Sequence, residues 1–264
     1  MSKAIFWHRR DLRIEDNAGL FKACQAATHV QPIFIFDTEI LSELDKKDAR
    51  VEFIHREIEQ LSREYATHNL HLRVEIGNPV ELIPSLAKEL KVDHVYTNRD
   101  YEPYALQRDK TLYDTLQTEG IGFSGAKDHV IFEKSEVMKG DGTPYTVFTP
   151  YSRKWKERLS QEPISLHDSK GALSHVQGIE KAPKIPRLTD LGFEPSGLNF
   201  PSIEVEDLLI SKYSDQRNFP AKPGTSKLGI HLRFGTISIR KLALKALPLN
   251  ELYLNELIWR EFFM

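Results

Sequence analysis

The chain is short of the features that would place it at once. It has one cysteine, Cys24, which excludes an intrachain disulfide and the multi-cysteine metal sites and fits a reducing compartment such as the cytoplasm. Its longest apolar runs, such as Pro32–Phe36 and Leu247–Leu249, fall far short of the ~20 residues that span a bilayer. Charges appear within the first ten residues, Met1 to Arg10, so no secretory signal is read there. Neither sign of charge dominates. With a net charge of −2 the whole chain is not drawn to nucleic acid by bulk electrostatics, although Lys and Arg gather between 227 and 260. The histidines are scattered, and His29, His55, His68, His71 and His94 lack the tight spacing of a ligand set, so no metal is expected. A Gly-x-Gly-x-x-Gly turn is also missing after the first strand, which argues against a dinucleotide site of the usual kind.

What is present is a globular composition, 40% hydrophobic and 28% charged over 264 residues, enough for two domains. The first part alternates strand and helix signals. Strands are expected at Ala4–Trp7, Val30–Phe36, Leu70–Glu75, Val92–Thr97 and Ile121–Ser124. The second is a continuous apolar run, as in a strand covered on both faces. Helices are expected over 17–26 with Asp16 or Asn17 as cap, over Ala49–Tyr65, from Pro79 (capped by Asn78) to Leu90, and over Tyr104–Thr118. Val51, Ile54, Ile58, Leu61 and Tyr65 form one face of the second helix. Cys24 falls on the first helix as a small buried residue. This order predicts an α/β fold, a doubly wound parallel five-stranded sheet.

The first turn, His8-Arg9-Arg10-Asp11-Leu12-Arg13, lies at the carboxyl end of a strand, where such sheets bind ligands. Its arginines either hold an anion or pair with Asp11, Glu15 and Asp16; spacing alone favours the pairing. Periodicity then fades. Pro163, Pro183, Pro186, Pro195 and Pro201 punctuate a stretch read as a surface linker, and helical pattern returns near Ser202 with Val205, Leu208 and Leu209 on one face and Asp207–Tyr213 continuing it. The expected division is 1–128, 129–201 and 202–264.

Two C-terminal segments carry chemistry. In Gly224-Thr225-Ser226-Lys227-Leu228-Gly229 a glycine permits a tight turn, and hydroxyls, amides and a lysine at a helix start suit a pyrophosphate. An ordinary helix capped by Thr225 or Ser226 is the simpler account on physics alone. In Tyr253–Phe263, Tyr253, Leu257, Trp259 and Arg260 can lie near one another, with Asn255 and Glu256 beside them. A carboxylate beside an aromatic wall can hold a nucleobase. A core helix with Leu254, Ile258 and Phe262 buried and Glu/Arg pairs outward fits the same pattern.

The segments occur together and in order. Trp7–Asn17, Tyr145–Trp155, Tyr213–Pro220, Gly224–Ser238 and Leu254–Phe263 resemble five successive motifs of the photolyase/cryptochrome family, over nearly the whole chain. The resemblance implies a Rossmann-like antenna domain, a linker and the start of an all-α FAD-binding domain, with the chain stopping at Met264 inside a helix, before the remaining flavin-binding helices, and leaving apolar helix faces uncovered. It implies light-driven repair of UV-damaged DNA, as a deoxyribodipyrimidine photo-lyase that works as a monomer. Tyr213, Thr225, Ser226, Lys227, Leu228, Gly229 and Tyr253 would contact FAD, Gly229 standing where the family has serine. Glu256 and Trp259 would meet the pyrimidine dimer, and Arg217 and Arg260 the DNA. Tyr104-Ala105 replaces the Asn-Glu pair that some relatives use for folate, so the antenna is a folate, a deazaflavin, a flavin or none. A cryptochrome-type receptor without repair and an unrelated nucleotide-binding α/β domain are the alternatives.

Overall fold

The computed structural model describes residues 1–181 and 184–264; Pro183, read above as part of the linker, lies outside them. In chain order the elements are β1 (Lys3–His8), α1 (Ala18–Ala26), β2 (His29–Asp37), α2 (Thr38–Leu41), α3 (Ala49–Thr67), β3 (Arg73–Gly77), α4 (Pro79–Leu90), β4 (His94–Asn98), α5 (Pro103–Thr118) and β5 (Gly122–Ala126). After these come α6 (Phe148–Gln161), α7 (Ser169–Ala172), α8 (Asp207–Ser211), α9 (Tyr213–Gln216), α10 (Gly229–Phe234), α11 (Ile239–Ala246) and α12 (Glu251–Phe262). The described residues fall into two compact units. One comprises 1–128 and 167–200, the other 129–166 and 201–264.

The first unit is a five-stranded parallel sheet in the order β3-β2-β1-β4-β5, the doubly wound fold expected. The order reverses between β1 and β4, the position at which such sheets open a crevice. Ile5, Trp7, Ile33, Ile35 and Val95 pack one face against Ile83, Leu86, Leu112 and Leu116 of α4 and α5. Local signals set most boundaries. Asn17 accepts from the Leu20 amide to start α1, and Asn78 from the Val80 amide to start α4, with Pro79 at its first position. Cys24 is buried on α1, and desolvation pushes its thiol up to about 12.

Two expectations in this unit need correction. β3 begins at Arg73, not Leu70, because Gln177 occupies the edge of β2 before it. The Val30 amide donates to Gln177 O at 2.9 Å and the Gln177 amide to Thr28 O at 3.0 Å, so β3 pairs only from Ile33 onward. Leu70 and Leu72 are buried ahead of the strand. On α3, Ile54 is half-buried and Phe53 takes its place in the core, edge-to-face with Phe200 at 5.3 Å.

The stretch read as a linker divides between the units. Residues 129–166 contribute α6, whose Tyr151 and Trp155 enter the second core with Ile210, Leu228, Leu242, Leu254 and Ile258. Phe148 and Leu159 pack against the same core, so α6 does carry apolar residues three to four apart, at 148, 151, 155 and 159, among its Arg and Lys, a helical signal that the linker reading passed over. Residues 167–200 return to the first unit, where Ser169 Oγ donates to Ile14 O at 2.6 Å and accepts from the Asn17 amide at 2.9 Å. The helix expected over Asp207–Tyr213 breaks at Lys212 into α8 and α9, and Ile210, not Leu208, is its buried residue. α12 ends at Phe262, short of Met264.

Candidate functional site

α12 is started by Asn250, whose side chain accepts from the Tyr253 amide at 3.0 Å. That start places Tyr253 on the buried side, edge-to-face with Tyr213 of α9 at 5.0 Å. The Tyr253 hydroxyl donates to Ser226 Oγ at 2.9 Å. Arg217 lies over the Tyr213 ring at 5.2 Å and pairs with Glu256, one turn along α12. Five of the residues singled out in the sequence, Tyr213, Arg217, Ser226, Tyr253 and Glu256, are therefore one connected cluster. Desolvation holds both tyrosine hydroxyls above their ordinary pKa, so they stay protonated donors. Beside them Asn255 Oδ1 is buried with no hydrogen-bond partner, a polar atom left for something else to satisfy.

The loop before α10 departs from the capped-helix reading. α10 starts at Gly229 with Leu228 as an N-cap that makes no side-chain bond, so neither Thr225 nor Ser226 caps it. Its first amides have no intrahelical partner. Gly224 is required by close approach, since a Cβ there would lie 2.6 Å from Gln216 Cβ. Lys227 adopts a left-handed backbone, φ 54°. Gly229 is under no such demand, as nothing lies within 4 Å of where its Cβ would be. Thr225 and Lys227 are exposed and Ser226 half-buried. Two hydroxyls, an ammonium and uncapped amides are a donor set that fits a phosphate-bearing group.

Trp259 and Arg260 point elsewhere. The Trp259 ring stacks on Phe148 at 3.7 Å and 7° and on Phe263 at 5.5 Å and 19°. Arg260 donates to His129 O at 2.7 Å and Leu232 O at 3.2 Å. The outward Glu/Arg pairing expected for this helix is not found at Glu261, which is buried. Its carboxylate accepts from the Ile131 amide at 2.7 Å, the Phe132 amide at 2.8 Å and Trp155 Nε1 at 2.6 Å. Burial pushes its pKa up to about 7 against the pull of those three donors. Sequence reasoning missed it because its partners lie over a hundred residues away; Leu254 and Ile258 are buried as the core-helix reading had them, and Phe262 half-buried.

In the first unit the turn arginines are paired, though with other partners than expected. Arg9 bonds Asp109 at 2.6 Å, Arg10 bonds Asp100 and Glu102 at 3.1 Å, and Arg13 bonds Asp128 at 2.8 Å. Glu15 and Asp16 accept from Arg13 through their carbonyls, at 3.0 and 2.8 Å. Asp11 instead takes the amide of Arg9 and the side-chain amides of Asn17 and Asn98, at 2.6, 3.0 and 2.6 Å. The Trp7 ring lies near the guanidinium groups of Arg9 and Arg108, at 4.9 and 4.8 Å. Tyr104, at the position that bears on the antenna, donates to Asp37 Oδ2 at 2.8 Å, and the Arg108 guanidinium sits over its ring at 5.4 Å. No cluster of metal-ligating side chains occurs among the described residues, and no helix among them is long and apolar enough to cross a membrane.

The chain folds as a doubly wound parallel α/β unit and a helical unit, and within the helical unit the 224–229 loop lies against a Tyr/Arg/Glu cluster. The family model described as DNA photolyase matches residues 4–168, and the chain belongs to the DNA photolyase family. It is 34% identical over 252 residues to a deoxyribodipyrimidine photo-lyase of Synechococcus sp. strain ATCC 27144, an alignment that covers 90% of this chain and 52% of that protein. It is also 34% identical over 246 residues to an uncharacterized 31.6 kDa protein of Synechococcus sp. strain PCC 6716, covering 89% of this chain and 86% of the relative. Among solved structures, an archaeal photolyase from Sulfolobus tokodaii with two FAD molecules superposes with a TM-score of 0.77 at 25% identity, over 99% of this chain and 58% of that one. The chain thus spans about half the length of the photo-lyases it matches.

Proposed function

We propose that this chain serves light-dependent DNA repair, as a deoxyribodipyrimidine photo-lyase acting on UV-damaged DNA as a cytoplasmic monomer. The observation that carries the reading is the connected cluster of Tyr213, Arg217, Ser226, Tyr253 and Glu256. Tyr213, Tyr253, Thr225, Ser226, Lys227, Leu228 and Gly229 hold FAD, the hydroxyls, ammonium and uncapped amides taking its phosphates. Reduced FAD, when bound, supplies the photoexcited electron. Glu256 exchanges Arg217 for a hydrogen bond to a flipped-out pyrimidine dimer and steadies its charge, and Trp259 stacks against it. Arg217, released from that pair, and Arg260 contact the DNA backbone. A second, antenna chromophore belongs to the α/β unit.

A second reading, a cryptochrome-type flavoprotein without repair, draws on one observation. Both lesion contacts are engaged, Glu256 by Arg217 and Trp259 by Phe148. The test is the absorption spectrum of the purified chain supplied with FAD, followed by illumination with an oligonucleotide carrying one pyrimidine dimer. Bands near ~370 and ~450 nm that survive gel filtration establish flavin binding. Dimer splitting under light then supports repair, and bound flavin without splitting supports the receptor reading. A flat spectrum refutes flavin binding by this chain.

A further inference from the structure

Of the three carboxylates on α12, Glu251 pairs with Lys156 and Glu256 with Arg217, while Glu261 is turned inward and only 6% exposed. Three N–H groups from two other pieces of chain converge on it. The successive amides of Ile131 and Phe132 bond its two oxygens at 2.7 and 2.8 Å, and the indole of Trp155 on α6 bonds one of them at 2.6 Å. The neighbouring Arg260 donates to His129 O at 2.7 Å. The segment 129–132 is therefore gripped by α12 through both a carbonyl and two amides. Such a clamp fixes rotation as well as distance, because a carboxylate receiving three aimed donors cannot turn without stranding buried N–H groups. At 3.6 residues per turn, Trp259 lies about 200° and Glu256 about 140° around the helix from Glu261. A helix pinned by Glu261 carries Glu256 on its far side and rests Trp259 on Phe148 of α6, the helix that supplies Trp155.

We propose that Glu261 is the positioning residue of α12, its clamp setting the roll of the helix and so the directions of Glu256 and Trp259. That they meet a damaged base rests on the function proposed above; that Glu261 orients them does not. Asp is one methylene too short to reach both amides, and Gln turns an NH₂ toward donors, so neither substitutes fully.

The experiment reads the indole N–H signals of Trp7, Trp155 and Trp259 in ¹⁵N-labelled protein. In Glu261→Gln, the Trp155 signal moves because its acceptor has changed, and the Trp259 signal moves with it as the ring shifts against Phe148. Trp7, in the other unit, stays. A Trp259 signal unmoved while Trp155 shifts overturns the proposal. Wild-type protein titrated from about pH 5 to 9 gives the same answer if the variant does not fold. Trp155 and Trp259 then move together with a single midpoint, and separate midpoints overturn it. Arg260 on α12, Tyr151 on α6 and His129 on the entering segment are the other charged or titratable groups close by. All three remain in Glu261→Gln, which is expected to abolish the shared midpoint. With FAD supplied, Glu261→Gln is expected to lower the light-driven splitting rate about tenfold to 100-fold while dimer binding changes less. Absence of splitting by the wild type refutes the repair reading, and the indole signals still decide the role of Glu261.

Discussion

Replacing Arg13 by alanine removes the cation from a buried pair while leaving its carboxylate in place. Asp128 is 1% exposed and accepts from Arg13 at 2.8 and 2.9 Å and from the Ala18 amide at 3.0 Å. Arg13 also spans the carbonyls of Glu15 and Asp16. At the surface such a pair is worth about 0–1 kcal/mol, but stranding a buried charge costs about 3–5 kcal/mol. For a unit of this size that corresponds to a fall of about 10 °C in Tm. The assay is thermal denaturation together with hydrogen exchange of the β1 amides, which reports the α/β unit alone. Replacing both partners, Arg13→Met with Asp128→Leu, is expected to recover most of the loss, since apolar groups in place of a buried pair are often neutral. A single-variant loss under about 1 kcal/mol, or a double variant no better than the single, refutes the claim that loss of the Arg13 cation from beside the buried carboxylate sets the cost.

The two units are expected to answer pH with opposite signs. His8 is fully buried against the Tyr65 hydroxyl at 2.6 Å, and desolvation holds its pKa below the ordinary 6.5. Its contribution is present above pH 6.5 and lost as pH falls, because the unfolded chain then takes a proton that the folded one refuses. Glu261 is raised from 4.5 to about 7. Its contribution, about 3 kcal/mol, is full below pH 4.5 and lost as pH rises through about 7. Exchange of β1 and α12 amides measured at pH 5 and pH 7.5 checks both, and parallel trends would contradict the assignment. Gly19→Ala gains up to about 1 kcal/mol of helix propensity. The new Cβ meets Asn98 Oδ1 at 2.7 Å, Phe6 Cε2 at 2.8 Å and Thr97 O at 3.0 Å, so a net loss of about 1–3 kcal/mol is expected in urea denaturation; a stabilised variant would show that the contact relaxes freely.

Elements whose cause is local were legible in the sequence. Asn78 and Pro79 begin α4 and Asn17 caps α1 because an N-cap needs only its own next few amides. The apolar run of β2 announced a strand covered on both faces, and the alternation of elements announced the parallel sheet. The ingredients of the candidate site were legible too, as residue types: Tyr213, Arg217, Ser226, Tyr253 and Glu256. What joins them was not. Tyr253 reaches Ser226 only because α12 packs beside that loop, and Trp259 lies on Phe148, a residue read as part of a linker motif. The start of β3 was decided by Gln177 taking the edge of β2. The partners of Arg13 and Glu261 were decided by contacts spanning more than a hundred residues. Periodicity and capping record what a residue does to its own turn of chain. Which buried charge meets which donor is decided by desolvation once the chain has closed, and an unpaired group there costs more than any local preference returns.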